Sequence, residues 1–243
     1  GLVGGGYGEL AWTQREYRLA LKAMDSQRIG IGFITWKLDE DASALDWVLD
    51  RPAEERPRAV MLSFGDARRY AARIAASGAP LICQIQRLEQ AAQALEAGAQ
   101  VLVAQGAEAG GHGMNGLDGR STLTLVPELA DWLAGHAPET LLLAAGGIAD
   151  GRGLAAALTL GADGALLGTR LWATQESLAP LGAKQAALAA GGDGTARSAV
   201  FDILRRKHWP APYDFRALRN DLHRSWEGRV DALRAAPEAA QAS

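Results

Sequence analysis

Cysteine is nearly absent: Cys83 is the sole one in 243 residues. No internal disulfide can form, which fits a reducing compartment such as the cytoplasm. Histidine is scarce as well, with four residues, and none stands at a recognisable metal-ligand spacing from other ligating side chains. No apolar run approaches the ~20 residues that a membrane-spanning helix needs. Neither a signal peptide nor a membrane partner is therefore expected, and the cytoplasm is the expected location. Positive charge is not in excess: 25 Lys and Arg face 28 Asp and Glu, for a net charge of −3. A nucleic-acid surface is excluded on that balance, and Arg205-Arg206-Lys207 reads as a solvated face.

What is present is a repeating pattern. Short apolar runs at 1–4, 29–35, 59–63, 80–85, 100–104, 141–145 and 164–167 lack polar alternation, as strands buried on both faces do. Amphipathic helices separate them. In DARRYAARIAASG, Ala67, Tyr70, Ala71, Ile74 and Ala75 form one stripe, and Leu88, Ala91, Ala92 and Leu95 form another in RLEQAAQALEAG. Gly78, Gly98 and Gly161 follow three helices where a left-handed residue is expected, and each opens the next strand in the phrases GAPLI, GAQVL and GADGALL. Repeated βα units predict parallel strands with right-handed crossovers. An open doubly wound sheet and a closed (β/α)8 barrel both satisfy this. Seven strands are predicted. A barrel reading places the missing first strand upstream of Gly1, with GLVGGGYG as the second. The segment from about 175 onward is predicted to be helical, with no further strand.

Several loops follow strand C-termini and carry chemistry. LLLAAGGIADGRG and GALLGTRLWAT put Gly146, Gly147, Gly168 and Thr169 after the last two strands, where barrels commonly hold phosphate. Asp150 reads as a helix N-cap, because a catalytic carboxylate beside an anion is electrostatically awkward. VLVAQGAEAGGHG breaks from a strand into a glycine-rich loop bearing His112, whose imidazole suits acid–base work near neutral pH. Gln84 ends a strand, where its amide suits the edge of a heterocycle or is an ordinary polar strand end. Cys83, its neighbour, points the other way as a buried thiol. Trp36 walls a pocket or packs in the core, the latter being expected. His136, His208 and His223 read as surface or packing residues.

VLVAQGAEAGGHG, AAGGIADGRGLAAALTLGADGALLGTRLWAT and VFDILRRKHWPAPYDFRALRNDLHRSWEGR together resemble the nitronate monooxygenase family, once called 2-nitropropane dioxygenases. The resemblance runs over essentially the whole chain. It implies an α/β TIM (β/α)8 barrel, here lacking its first strand, over 1–174, and a C-terminal helical segment over 175–243 packed on the barrel. It implies non-covalent FMN and oxidation of alkyl nitronates, such as propionate 3-nitronate, by molecular oxygen. Carried over by motif, Gly147, Gly168 and Thr169 would hold the FMN phosphate, Gly110 and Gly111 would lie beside the cofactor, Gln84 would reach the flavin's pyrimidine edge, and His112 would be catalytic. The family's usual opening strand and loop, of the type PIIQAPMAG, is absent here, and Gly32 stands where some members have asparagine. A barrel open at that point is expected to bind FMN weakly or not at all. A flavin-dependent enoyl-ACP reductase shares the barrel and the glycine–histidine loop. An inosine-monophosphate-dehydrogenase-like barrel would need a loop cysteine, whereas Cys83 lies in a strand. A truncated barrel that binds ligand without catalysis is the remaining alternative.

Overall fold

The computed structural model describes residues 1–116 and 118–238. Its frame is a curled, wholly parallel sheet of seven strands: β1 (Leu2–Gly6), β2 (Gly30–Ile34), β3 (Val60–Ser63), β4 (Leu81–Ile85), β5 (Val101–Gln105), β7 (Leu141–Ala145) and β8 (Gly164–Leu166). They lie side by side in chain order, the arrangement of a barrel wall rather than of a doubly wound sheet, whose order reverses. The strand between β5 and β7 in sequence, β6 (Gly111–Met114), leaves this sheet. β1 and β8 form the two edges. All seven predicted strands occur within two residues of their predicted bounds.

The sheet's convex face is covered by α1 (Leu10–Ala23), α2 (Thr35–Leu38), α3 (Ser43–Leu49), α4 (Arg68–Ser77), α5 (Glu89–Glu96), α6 (Thr122–His136) and α7 (Gly151–Thr159). Ile31, Val60, Leu62, Leu102 and Leu142 meet Tyr17, Leu45, Ile74, Leu125 and Leu129 there in one continuous core. Ile74 is the buried centre of α4, but Ala75 is exposed. In α5 it is Ala94, not Ala92, that is buried beside Ala91. Small alanines leave the face of such a helix ambiguous by a position or two. Gly78, Gly98 and Gly161 all take positive φ, at 77°, 77° and 96°. The concave side carries its own cluster, Met61, Val103 and Ala145 with Ile82, Leu143 and Leu166.

After the short α8 (Thr169–Trp172) and α9 (Leu181–Ala189), the chain departs from the helical expectation. It contains β9 (Thr195–Ser198) and β10 (Tyr213–Leu218), which pair antiparallel with each other and with β6. RALRN reads as helical by composition, but YDFRAL alternates: Tyr213 and Phe215 join an aromatic cluster, while Arg216 reaches the backbone of Ala107. The period of two decides for a strand. α10 (Val200–Leu204), α11 (Asp221–Trp226) and α12 (Val230–Ala235) pack through Val200, Trp226 and Leu233. Positions 239–243 of the expected C-terminal segment lie outside the described residues. No helix among the described residues is long and apolar enough to cross a membrane.

Candidate active site

The histidine segment is a strand, not the loop its glycines suggest. His112 is in register with Phe215, and Gly111 with Arg216. Glycines lower strand propensity, but here β10 supplies the partner backbone and the β9–β10 side chains supply the packing. Two arginines complete the attachment. Arg197 Nη1 donates to the carbonyls of Gly111 and Asp214 at 3.2 and 2.6 Å, and its Nη2 to Ala107 and Ala109 at 3.3 and 2.7 Å. Burial, together with the nearby Arg216, brings its guanidinium down to about 10. Arg197→Met is expected to leave several buried carbonyls unpaired and cost roughly 3 kcal/mol, read as a shifted urea midpoint.

His112 thereby projects at the C-terminal mouth of the sheet. Its ring stacks on Trp209 at 3.5 Å between centroids and 12° between planes. Trp209 also meets Trp36 and Phe64, just past the ends of β2 and β3, and its Nε1 donates to Tyr7 Oη at 2.9 Å, just past β1. Phe215 meets the imidazole edge-on at 4.7 Å. A strap from the C-terminal segment thus roofs the first three strands with aromatic rings. Trp36 packs in this cluster rather than in the main core, and it stands in α2 rather than on a strand.

Beneath the roof, His112 Nε2 lies 3.0 Å from both carboxylate oxygens of Asp202. Their side chains are 11% and 5% exposed. Burial pulls the imidazole below its ordinary value; Asp202 opposes this, while Arg205 and Arg197 add to it. Arg205 is therefore more than a solvated charge. It pairs with Asp202 at 3.0 Å and lies over the Phe215 ring.

A row of amides joins His112 to the sheet. Gln105 Nε2 donates to the His112 carbonyl at 2.9 Å, and Gln105 Oε1 accepts from Gln84 Nε2 at 3.1 Å and from Gln86 Nε2 at 2.8 Å. Gln84 is two residues beyond Ile82, which lies in the concave cluster, and so shares its face. Cys83 faces the helices, where burial pushes its thiol up to about 12. That is an inert environment for a nucleophile and counts against the cysteine-dependent barrel reading.

The glycine loops converge beside this row. Gly146 and Gly147 follow β7 with φ of 108° and 72°. A side chain at Gly147 would touch Glu108 Cβ at 3.4 Å, and one at Gly110 would overlap Thr169 Oγ1. The β5–β6 segment thus reaches both late loops, and Gly168 precedes Thr169 with open space where a Cβ would stand. Asp150 caps α7, accepting from the backbone N–H groups of Arg152 and Gly153 at 3.0 Å each. The predicted site residues fall into two adjoining groups, Gln84 with His112, and Gly110, Gly147, Gly168 and Thr169, linked through the segment that contains Gly110 and Gly111. The other histidines stand apart: His136 stacks on Trp132 at the surface, His208 is exposed, and His223 is buried against Phe201.

Sequence reasoning missed Asp202, Trp209, Arg197, Gln86 and Gln105. QIQ at 84–86 was a visible signal, since residues two apart on a strand share a face. Asp202 was visible only as an acid among the apolar positions of VFDIL.

Residues 35–240 match the sequence profile of the nitronate monooxygenase family. The chain belongs to that family. A nitronate monooxygenase of Metarhizium robertsii is 39% identical over 216 residues, covering 84% of this chain and 58% of the relative. This chain therefore spans little more than half that relative's length. Among solved structures, a nitroalkane oxidase from Streptomyces ansochromogenes superposes with a TM-score of 0.74 at 26% identity, over 93% of this chain and 71% of the other. A FabK mutant from Thermotoga maritima gives 0.75 at 26% identity, over 97% and 71%. The family membership makes the curled sheet part of a TIM-barrel architecture in a group of flavin-dependent oxidoreductases.

Proposed function

We propose that this chain carries the FMN-dependent oxidation of alkyl nitronates, such as propionate 3-nitronate, by molecular oxygen. The observation that carries the reading is the position of His112, at the C-terminal mouth between an amide row and the converging glycine loops. The residues fit the cofactor. Gln86 Oε1 is a buried acceptor without a partner among the described residues, suited to a ring N–H, and the space at Gly168 admits a group close to the backbone. Gly147, Gly168 and Thr169 would hold the phosphate, Gly110 and Gly111 would lie along the cofactor, and Gln84 would reach the pyrimidine edge. When bound, FMN supplies the electron acceptor that oxygen then regenerates.

The chain's own part is placement and proton handling. The aromatic roof excludes water from His112 and so strengthens its electrostatic contacts. His112 faces the substrate, where it hydrogen-bonds the nitro group or takes an α-proton from the neutral nitroalkane. Because burial depresses its pKa, the neutral, proton-accepting form dominates at pH 7. Turnover of a neutral nitroalkane is expected to rise with pH along an acid limb centred below the ordinary histidine value of about 6.5 and then level off. A pH profile of kcat/KM checks this.

The test of the function is to incubate the protein with FMN, desalt it, and follow oxygen consumption on adding a nitronate. Retained flavin with nitronate-driven oxygen uptake supports the reading. Fast flavin reduction by NADPH with no response to nitronate would instead favour an enoyl-ACP reductase. Failure to retain FMN would favour a barrel without this catalysis.

A further inference from the structure

Asp202 is a buried acid with two partners. Both its oxygens lie 3.0 Å from His112 Nε2, and Oδ1 also accepts from Arg205 Nη2 at 3.0 Å. A carboxylate can only accept, so the proton between the two side chains lies on Nε2. Neutral His112 then has its lone pair on Nδ1. That atom hydrogen-bonds to no described residue and is not fully buried. The ring has little freedom to turn over: Trp209 covers one face, Phe215 meets an edge, and Gln105 holds the backbone carbonyl.

We propose that Asp202 is a positioning residue that fixes His112 in the Nε2–H tautomer, making Nδ1 the atom that accepts the α-proton of a neutral nitroalkane. This rests on the reading that the site oxidises nitro compounds. In the step, the α-C–H bond breaks and its electron pair moves into the nitro group, giving the nitronate. The proton forms a new N–H bond at Nδ1. The resulting imidazolium keeps its Nε2–H on Asp202, whose negative charge offsets the new positive one. A preformed nitronate has already lost that proton and does not need the step.

The charged groups facing the ring come from three elements: Asp202 from α10 with Arg205 just past its end, Arg197 from β9 and Asp214 from β10. Both arginines disfavour the imidazolium, and Asp202 favours it. Replacing Asp202 by a neutral side chain therefore moves the acid limb of nitroalkane turnover to lower pH. It also weakens the hold on the tautomer.

The first test needs no turnover. In protein labelled with 15N-histidine, the resonances of His112 are assigned by their loss in His112→Asn, and its tautomer is read from long-range 1H–15N couplings. An Nε2–H tautomer is expected, and an Nδ1–H tautomer overturns the role of Asp202 whatever the enzyme does. The second test compares nitroethane with its preformed nitronate in Asp202→Asn. The ratio of kcat/KM for the neutral compound to that for the nitronate should fall by about tenfold or more, with the acid limb displaced downward. An equal loss on both compounds overturns the proposal in favour of a structural role. An Nε2–H tautomer in a wild-type protein that turns over neither compound removes the functional reading, and the proton-accepting role with it.

Discussion

Replacing His112 by asparagine is expected to lower turnover of a neutral nitroalkane by about 10²–10⁴-fold, the usual loss for a positioned acid–base group, with a smaller loss on the preformed nitronate, while bound flavin stays largely in place. The side chain lies at the mouth, but the contacts that hold β6 do not depend on it. The backbone pairs with β10, Arg197 binds the Gly111 carbonyl, and Gln105 binds the carbonyl of residue 112 itself. Asparagine loses the Asp202 contact and the stack on Trp209, both side-chain interactions. Turnover and flavin content measured on the same sample separate the roles. Loss of flavin in step with activity would make His112 a cofactor-binding or structural residue.

The second large effect is expected at Gly106, where β5 ends. A β-carbon there would overlap both the backbone nitrogen and the hydroxyl of Thr122, as well as the Glu108 carboxylate. These groups are not free to move. Glu108 caps α6 by accepting from the Thr122 N–H at 3.0 Å, and the Thr122 hydroxyl lies 3.0 Å from the Gly146 carbonyl. The Gly106 N–H itself donates to the Ala145 carbonyl at 2.8 Å. Gly106→Ala should therefore push α6 away from the β7 loop, costing about 3 kcal/mol or more, at the upper end of overpacking losses. Flavin affinity should fall with it, because Gly146 and Gly147 share the disturbed junction. Urea denaturation and an FMN titration check both parts. A full-strength site in Gly106→Ala would mean that the two loops do not act as one unit.

The sheet was legible because its strands are short apolar runs set off by glycines such as Gly78 and Gly98, and each run pairs with its neighbour in sequence. Gln84 stands near the end of β4 and Thr169 shortly past β8, as their runs suggest, whereas His112 lies within β6 and not in a loop. The second sheet was not legible in the same way. β6 carries two glycines in four residues, and its partner β10 lies about a hundred residues downstream. The dyad has the same cause: His112 and Asp202 are separated by 90 residues, so no local spacing relates them. Trp209 had no periodic context at all. Its role emerges only once the strap folds back over Tyr7, Trp36 and Phe64.

A nitronate placed against a bound flavin must pass electrons to it. The most direct measurement is anaerobic mixing of the FMN-loaded protein with a nitronate while the oxidised-flavin absorption band is followed. The band should bleach on mixing and return when oxygen is admitted. A band that persists with nitronate, yet bleaches promptly with NADPH, would contradict that placement.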